Sequence, residues 1–190
     1  MCYLLLLCLA LPAFADPMTK GERQRLVAHW EMTGSWIADE IAGLSEKQLN
    51  FRAAPDKWSV KDVLEHLAIA DPHYWKTFQE SLKTPIEPKT DQKDEGILWY
   101  GIDRTNRNKT AEARTPKDNF KTAAEAYDSW RKLRATMLDY ITTTDDDLRG
   151  HRYLKSPTDT YQWLLMISTH VQRHILQIRE IKHEPSFPKA

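Results

Sequence analysis

Two histidines four residues apart, His170 and His174 in THVQRHILQIREIKH at 169–183, have the type and spacing for metal chemistry. Four residues is about one helical turn, so both imidazoles should leave one face of a helix, one above the other. On a wheel turning about 100° per residue, Leu164, Ile167, Val171, Ile175 and Ile178 form an apolar arc. Thr169, Arg173 and Glu180 lie opposite. His174 falls inside the arc and His170 on its edge, so both rings should face an interior where an unpaired polar group is costly. A third histidine, His66 in VLEHLAIA, borders a second arc of Val63, Leu67 and Tyr74. Two inward histidines on one helix and one on another give three nitrogen ligands, a common way for bundles to build metal sites. Three protein ligands leave a coordination position open to water or substrate, the catalytic rather than the structural pattern. The competing reading is three core histidines hydrogen-bonded to carbonyls, and spacing alone leaves both open.

The remaining titratable groups are weaker candidates. His73 follows His66 by two turns, about 10 Å away, too far to share one ion. His183 lies off the stripe of His170 and His174, and His29 and His151 belong to no such pattern. A zincin places a Glu directly after its first histidine, but here that residue is Val171. Glu65 neighbours His66 but should point about 100° away on a helix. Asp62, one turn before His66, suits a helix cap better than a partner for that ring.

These side chains need helices to position them. The first is expected from Thr19, with Glu22 completing a capping box, through an apolar series Leu26, Trp30, Ile37, Ile41 and Leu44 to Gly43 and Ser45. The second should start at Ser59, with Asp62 as reciprocal cap and Trp58 against Val63 as a staple, and run to about Leu82. Pro72 should kink or divide it. Residues 84–117 are polar and proline-punctuated, a long connection that serves either as a surface crossover or as a lid. Ile97, Leu98, Trp99 and Tyr100 should pin its middle to the core. A third helix is expected from Thr115-Pro116, and a fourth from Thr160 to Lys182 behind an Asp159 cap. Four helices and no convincing strand predict an all-α four-helix bundle with its long connection between helices 2 and 3.

Composition bounds the rest. Lys plus Arg and Asp plus Glu number 27 each, so nothing suggests a nucleic-acid footprint or a polybasic membrane face. Six glycines against seven tryptophans and seven tyrosines favour large packing residues over turns. Residues 1–15, MCYLLLLCLALPAFA, read as a signal peptide with a small-x-small cleavage pattern at Ala13-Phe14-Ala15, although no Lys or Arg precedes the apolar run. An uncleaved anchor is the competing reading. Cleavage would leave 16–190 as one exported domain, periplasmic or extracellular, with no stable membrane insertion. It would also remove Cys2 and Cys8, the only cysteines, so any site chemistry must rest on histidine, carboxylate and hydroxyl groups.

The combination of KWSVKDVLEHL, a long variable middle and a late HxxxHxxQI resembles the DinB/YfiT-like superfamily of four-helix-bundle metalloproteins, from about Thr19 to Lys182. The elements carrying the likeness are Trp58-Ser59, His66-Leu67, His170, His174, Gln177 and Ile178. The resemblance implies a divalent ion, commonly nickel or zinc, held by His66, His170 and His174. It further implies a metal-dependent hydrolase acting on a small molecule, or the thiol-dependent transferase chemistry of some relatives. An exported chain fits the latter poorly, because low-molecular-weight thiols are chiefly cytoplasmic. A bundle that binds metal or ligand without turnover remains the alternative. A homodimer is left open.

Overall fold

A computed structural model describes residues 17–106, 110–154 and 156–189. The expected signal peptide at 1–15, with Cys2 and Cys8, lies outside the described residues. Six α-helices and one 3-10 turn occur among the described residues: α1 Lys20–Ile41, α2 Glu46–Leu49, α3 Val60–Ser81, α4 Asp94–Ile102, the turn Glu112–Arg114, α5 Ala123–Thr143 and α6 Thr160–Lys182. No strand occurs among the described residues, only an isolated bridge between Arg152 and Asp159. None of the described helices is long and apolar enough to cross a membrane.

The four long helices, α1, α3, α5 and α6, form the expected four-helix bundle. Each begins at a reciprocal capping box: Thr19 with Glu22, Ser59 with Asp62, Thr122 with Glu125 and Asp159 with Gln162. Each box satisfies backbone donors that a helix start leaves without partners. In the ring, α1 packs on α5 and α6, and α3 packs on the same two, so α1 and α3 are diagonal. α3 faces α6 directly, which is how His66 meets the later histidines.

Apolar side chains fill the bundle in two clusters. One gathers Ile37, Val60, Val63, Leu64, Leu67, Trp130, Val171, Ile175 and Ile178. The other gathers Leu26, Trp30, Phe78, Ile97, Met137, Ile141, Leu148, Tyr161 and Leu164. Buried polar groups from all four helices accompany them: Thr33, Asp71, Arg134 and Ser168. Arg134 donates to the Trp30 carbonyl at 2.8 Å, and Asp71 accepts from Trp130 Nε1 at 2.7 Å.

Several expectations need correction. α3 is continuous across Pro72 rather than divided there; Pro72 sits on the exposed face, so its ring meets solvent instead of a packed neighbour. α5 starts at Ala123, not near Thr115, because residues 115–122 are tied back to α3. Glu65 Oε1 accepts from Lys117 N, Asn119 N and Asn119 Nδ2 at 2.8–3.0 Å, and Asp118 adopts φ of 58°. The connection at 84–117 is not structureless, since α4 packs along α6. Only part of the expected anchor is buried: Ile97 is inside, while Leu98 and Trp99 are exposed. Polar contacts hold the rest. Arg149 binds Asp94 at 2.8 and 3.0 Å, and also Glu22 and Asp159. Gly101 lets α4 approach α6 closely; an added Cβ would lie 2.8 Å from Gln172 Oε1 and 3.0 Å from Thr169 Cβ.

α4 also changes the reading of α6. Thr169 and Arg173, opposite the apolar arc, are buried beneath the crossover rather than facing solvent. Arg173 donates to the carbonyls of Tyr100, Asp103 and Asn106.

Candidate metal centre

α3 and α6 bring His66, His170 and His174 together, each less than a tenth exposed. His66 Nε2 lies 3.2 Å from His170 Nε2, and His174 Nε2 lies 3.0 Å from the same atom. One ligating nitrogen from each ring falls within a 4.8 Å cluster. Trp58 lies across the group, its ring centroid 5.1 Å from His66 and 6.3 Å from His174, nearly parallel to the latter. Tyr74 meets His170 edge-on at 5.5 Å.

The outer nitrogens decide which way the lone pairs point. His66 Nδ1 lies 2.8 Å from the carbonyl oxygen of Arg114. A carbonyl only accepts, so Nδ1 carries the proton and Nε2 presents its lone pair inward. His174 Nδ1 faces the side-chain oxygen of Gln177 at 2.8 Å, with the same consequence. Two lone pairs therefore aim at His170 Nε2, and one proton there can serve only one of them. His170 Nδ1 is buried without a hydrogen-bond partner. One cation would accept all three nitrogens. An ion bound at about 2.0–2.1 Å in tetrahedral geometry separates its nitrogens by about 3.3 Å, close to the 3.0 and 3.2 Å found. The residues fit a divalent ion.

Electrostatics prepare the same state. Burial holds His66 below the usual imidazole range, and the Arg114 charge adds to this against the Arg114 carbonyl. Burial pushes His170 down further, aided by His66, Arg114 and Arg173. His174 is likewise well below normal, through burial and its two histidine neighbours, with Gln177 opposing. All three rings are therefore neutral near pH 7, the form a metal ligand must have.

The other histidines stay out of the cluster. His29 contacts Ser168 Oγ at 2.8 Å, His73 is exposed beside Tyr74, and His183 Nδ1 donates to the Arg179 carbonyl. Asp62 serves as the Ser59 cap and pairs with Arg52 at 2.8 Å, so its capping role holds. Glu65 points to 117–119, as its helical position required. Sequence reasoning missed Arg114, because a backbone carbonyl 48 residues away leaves no mark on residue type. Gln177, three residues after His174, was visible only as part of a motif.

Two hollows that share Tyr74, Tyr100 and His170 in their linings open beside the rings. A pocket of about 210 Å³ is lined by Tyr74, Tyr100, Trp163, Met166, Ile167 and His170. A wider cleft of about 1140 Å³ reaches all three histidines and carries Trp58, Arg104, Arg114, Arg173 and Gln177 on its walls.

Comparison with known proteins agrees with this architecture. The family profile described as the DinB superfamily matches residues 18–178. YuaE, an uncharacterized protein of Bacillus subtilis strain 168, is 27% identical over 151 residues, covering 77% of this chain and 90% of the relative. YfiT from Bacillus subtilis, described as a probable metal-dependent hydrolase with an unusual four-helix bundle topology, superposes with a TM-score of 0.57. That structure shares 18% identity and covers 88% of this chain and 89% of its own, a likeness of fold.

Proposed function

The chain belongs to the DinB superfamily, and on that premise we propose that it is a metal-dependent hydrolase of small molecules. His66, His170 and His174 would hold one divalent ion, nickel or zinc. The observation that carries this reading is the convergence of three neutral imidazoles whose outer nitrogens, on His66 and His174, are fixed by acceptors. A bound ion supplies Lewis acidity, polarising a carbonyl or phosphoryl oxygen and acidifying water.

The chain's own residues do the remaining work. The Arg114 carbonyl and Gln177 Oε1 fix the tautomers and orientation of two rings. Trp58 and Tyr74 flank the rings with aromatic surface, which limits how water reaches them. The wide cleft gives a substrate access from one side.

One observation favours a second reading, binding without turnover. Among the described residues no carboxylate joins the three nitrogens within 4.8 Å, and both Asp62 and Glu65 are engaged elsewhere. Untagged protein with its metal content measured, assayed on p-nitrophenyl esters and phosphoesters, separates the two. Chelator-sensitive hydrolysis lost in His170→Ala supports the hydrolase. Full metal occupancy with no turnover on any class leaves the binding module. Thiol-dependent transfer would instead demand an added low-molecular-weight thiol. Export is part of the same proposal and rests on the sequence of 1–15.

A further inference from the structure

The two hollows differ in chemistry. The smaller pocket is mostly apolar, lined by Tyr74, Tyr100, Trp163, Met166, Ile167 and His170. Its 210 Å³ exceeds the roughly 150 Å³ of a cavity that takes benzene, so one ring with a short substituent fits. Tyr74 stands edge-on to Trp163 at 5.4 Å and is shared between the pocket and the cleft.

The cleft beside it carries four basic side chains against three carboxylates, Asp56, Glu180 and Glu184. The Arg114 guanidinium lies over the Tyr74 ring, 5.4 Å from its centroid, and pairs with no carboxylate among the described residues. Buried Arg173 gives its donors to backbone carbonyls and makes no ion pair among the described residues, its charge partly offset by the Asp103 carboxylate. Arg104 is neutralised by Glu180, and Lys57 by Asp56. The unpaired Arg114 guanidinium thus borders a donor set of three uncharged imidazoles, which would leave the full charge of an ion in place. Lys57, Arg104, Arg114 and Arg173 outnumber Asp56, Glu180 and Glu184 on this lining, and a cleft of net positive sign between low-dielectric walls favours the opposite charge.

We propose that the site selects a small amphipathic organic oxyanion, its apolar end in the pocket of Tyr74, Trp163, Met166 and Ile167 and its anionic end on Arg114. The proposal deepens the hydrolase reading and rests on it, because that reading makes these hollows a substrate site. Arg114 has two separable parts here. Its carbonyl orients His66 and survives any side-chain change, while its guanidinium forks onto the carboxylate or phosphoryl group of the ligand. The aromatic pocket supplies affinity without regard to charge, and Arg114 supplies the sign.

Calorimetric titration of the full chain with three isosteric probes tests this: 3-phenylpropionate, 3-phenylpropan-1-ol and 3-phenylpropylamine. Phenyl phosphate tests the phosphoryl arm, and acetate tests the need for the apolar end. Each is measured on metal-loaded and on chelator-treated protein, with bound metal quantified. Wild type should bind the acid about tenfold more tightly than the alcohol, and the amine more weakly than either. Acetate should bind at least tenfold more weakly than 3-phenylpropionate. Arg114→Met should bring acid and alcohol within about twofold with metal content unchanged, and Arg114→Lys should retain the preference for the anion. Equal affinity for acid and alcohol in wild type would overturn the proposal. So would an acid preference that survives Arg114→Met but vanishes on chelation, for the anion would then be an ion ligand. An Arg114-dependent preference in protein that holds no metal would keep the anion site and defeat the hydrolase reading. Metal without any acid preference would do the reverse.

Discussion

Asp71→Asn isolates the cost of a buried charge in the bundle. Asp71 is 1% exposed, its Oδ2 accepts from Trp130 Nε1, and its Oδ1 has no partner. Burial raises its pKa from 3.8 to about 7, against the opposing pull of Arg134 and Trp130. For a carboxyl whose folded pKa is raised, its favourable contribution is complete below pH 3.8 and disappears as pH climbs through about 7. Asparagine keeps the shape and the acceptor for Trp130 but cannot ionise. The variant should therefore match wild type near pH 4 and gain on it with rising pH. At about 1.36 kcal/mol per pKa unit, the shift from 3.8 to about 7 amounts to roughly 4 kcal/mol by pH 8, an order-of-magnitude figure. Taking the difference between the two chains cancels every other titrating group. Urea unfolding followed by circular dichroism in chelator, at pH values from 4 to 8, measures it. A flat difference, or a variant that loses ground as pH rises, would show that Arg134 stabilises ionised Asp71 and refute the reasoning.

Three further outcomes are expected. Glu65→Ala removes the acceptor of three donors in 117–119, costing about 2–4 kcal/mol. It should also weaken metal binding about tenfold by loosening the segment that carries the Arg114 carbonyl, as read by chelator competition, whereas Glu65→Gln should largely restore both. Arg149→Met leaves Glu22, Asp94 and Asp159 facing one another and should cost about 3 kcal/mol or more in urea unfolding. If 1–15 is a cleaved signal, N-terminal sequencing of protein from its native host should begin at Asp16; an intact Met1 would end the export proposal.

The bundle was legible because local signals agree with the long-range packing. Thr19-x-x-Glu22, Ser59-x-x-Asp62 and Asp159 each mark a helix start the structure keeps. The three histidines could be singled out because facing helices hide one arc each, and an inward imidazole breaks an otherwise apolar stripe. The start of α5 lies at the Thr122-x-x-Glu125 capping box, beyond the expected Thr115-Pro116. α4 was missed because Asp94–Ile102 has almost no one-sided apolar pattern; polar clamps from Arg149 and Gln162 hold it instead. Its position is set by contacts from 55 to 68 residues away. For the same reason the burial of Arg173 and the roles of Arg114 and Tyr74 could not be read from helical spacing.

Metal content of purified, untagged protein, read together with the melting temperature before and after chelation, tests the three-histidine centre most directly. About one divalent ion per chain is expected, and chelation should lower the melting temperature, because an ion that binds only the folded state stabilises it. His174→Ala should lose the ion and its sensitivity to chelator, while His73→Ala, altering an exposed ring outside the cluster, should keep both. Wild type that holds no ion and melts identically in chelator would contradict the metal centre and leave His66, His170 and His174 as packed core residues.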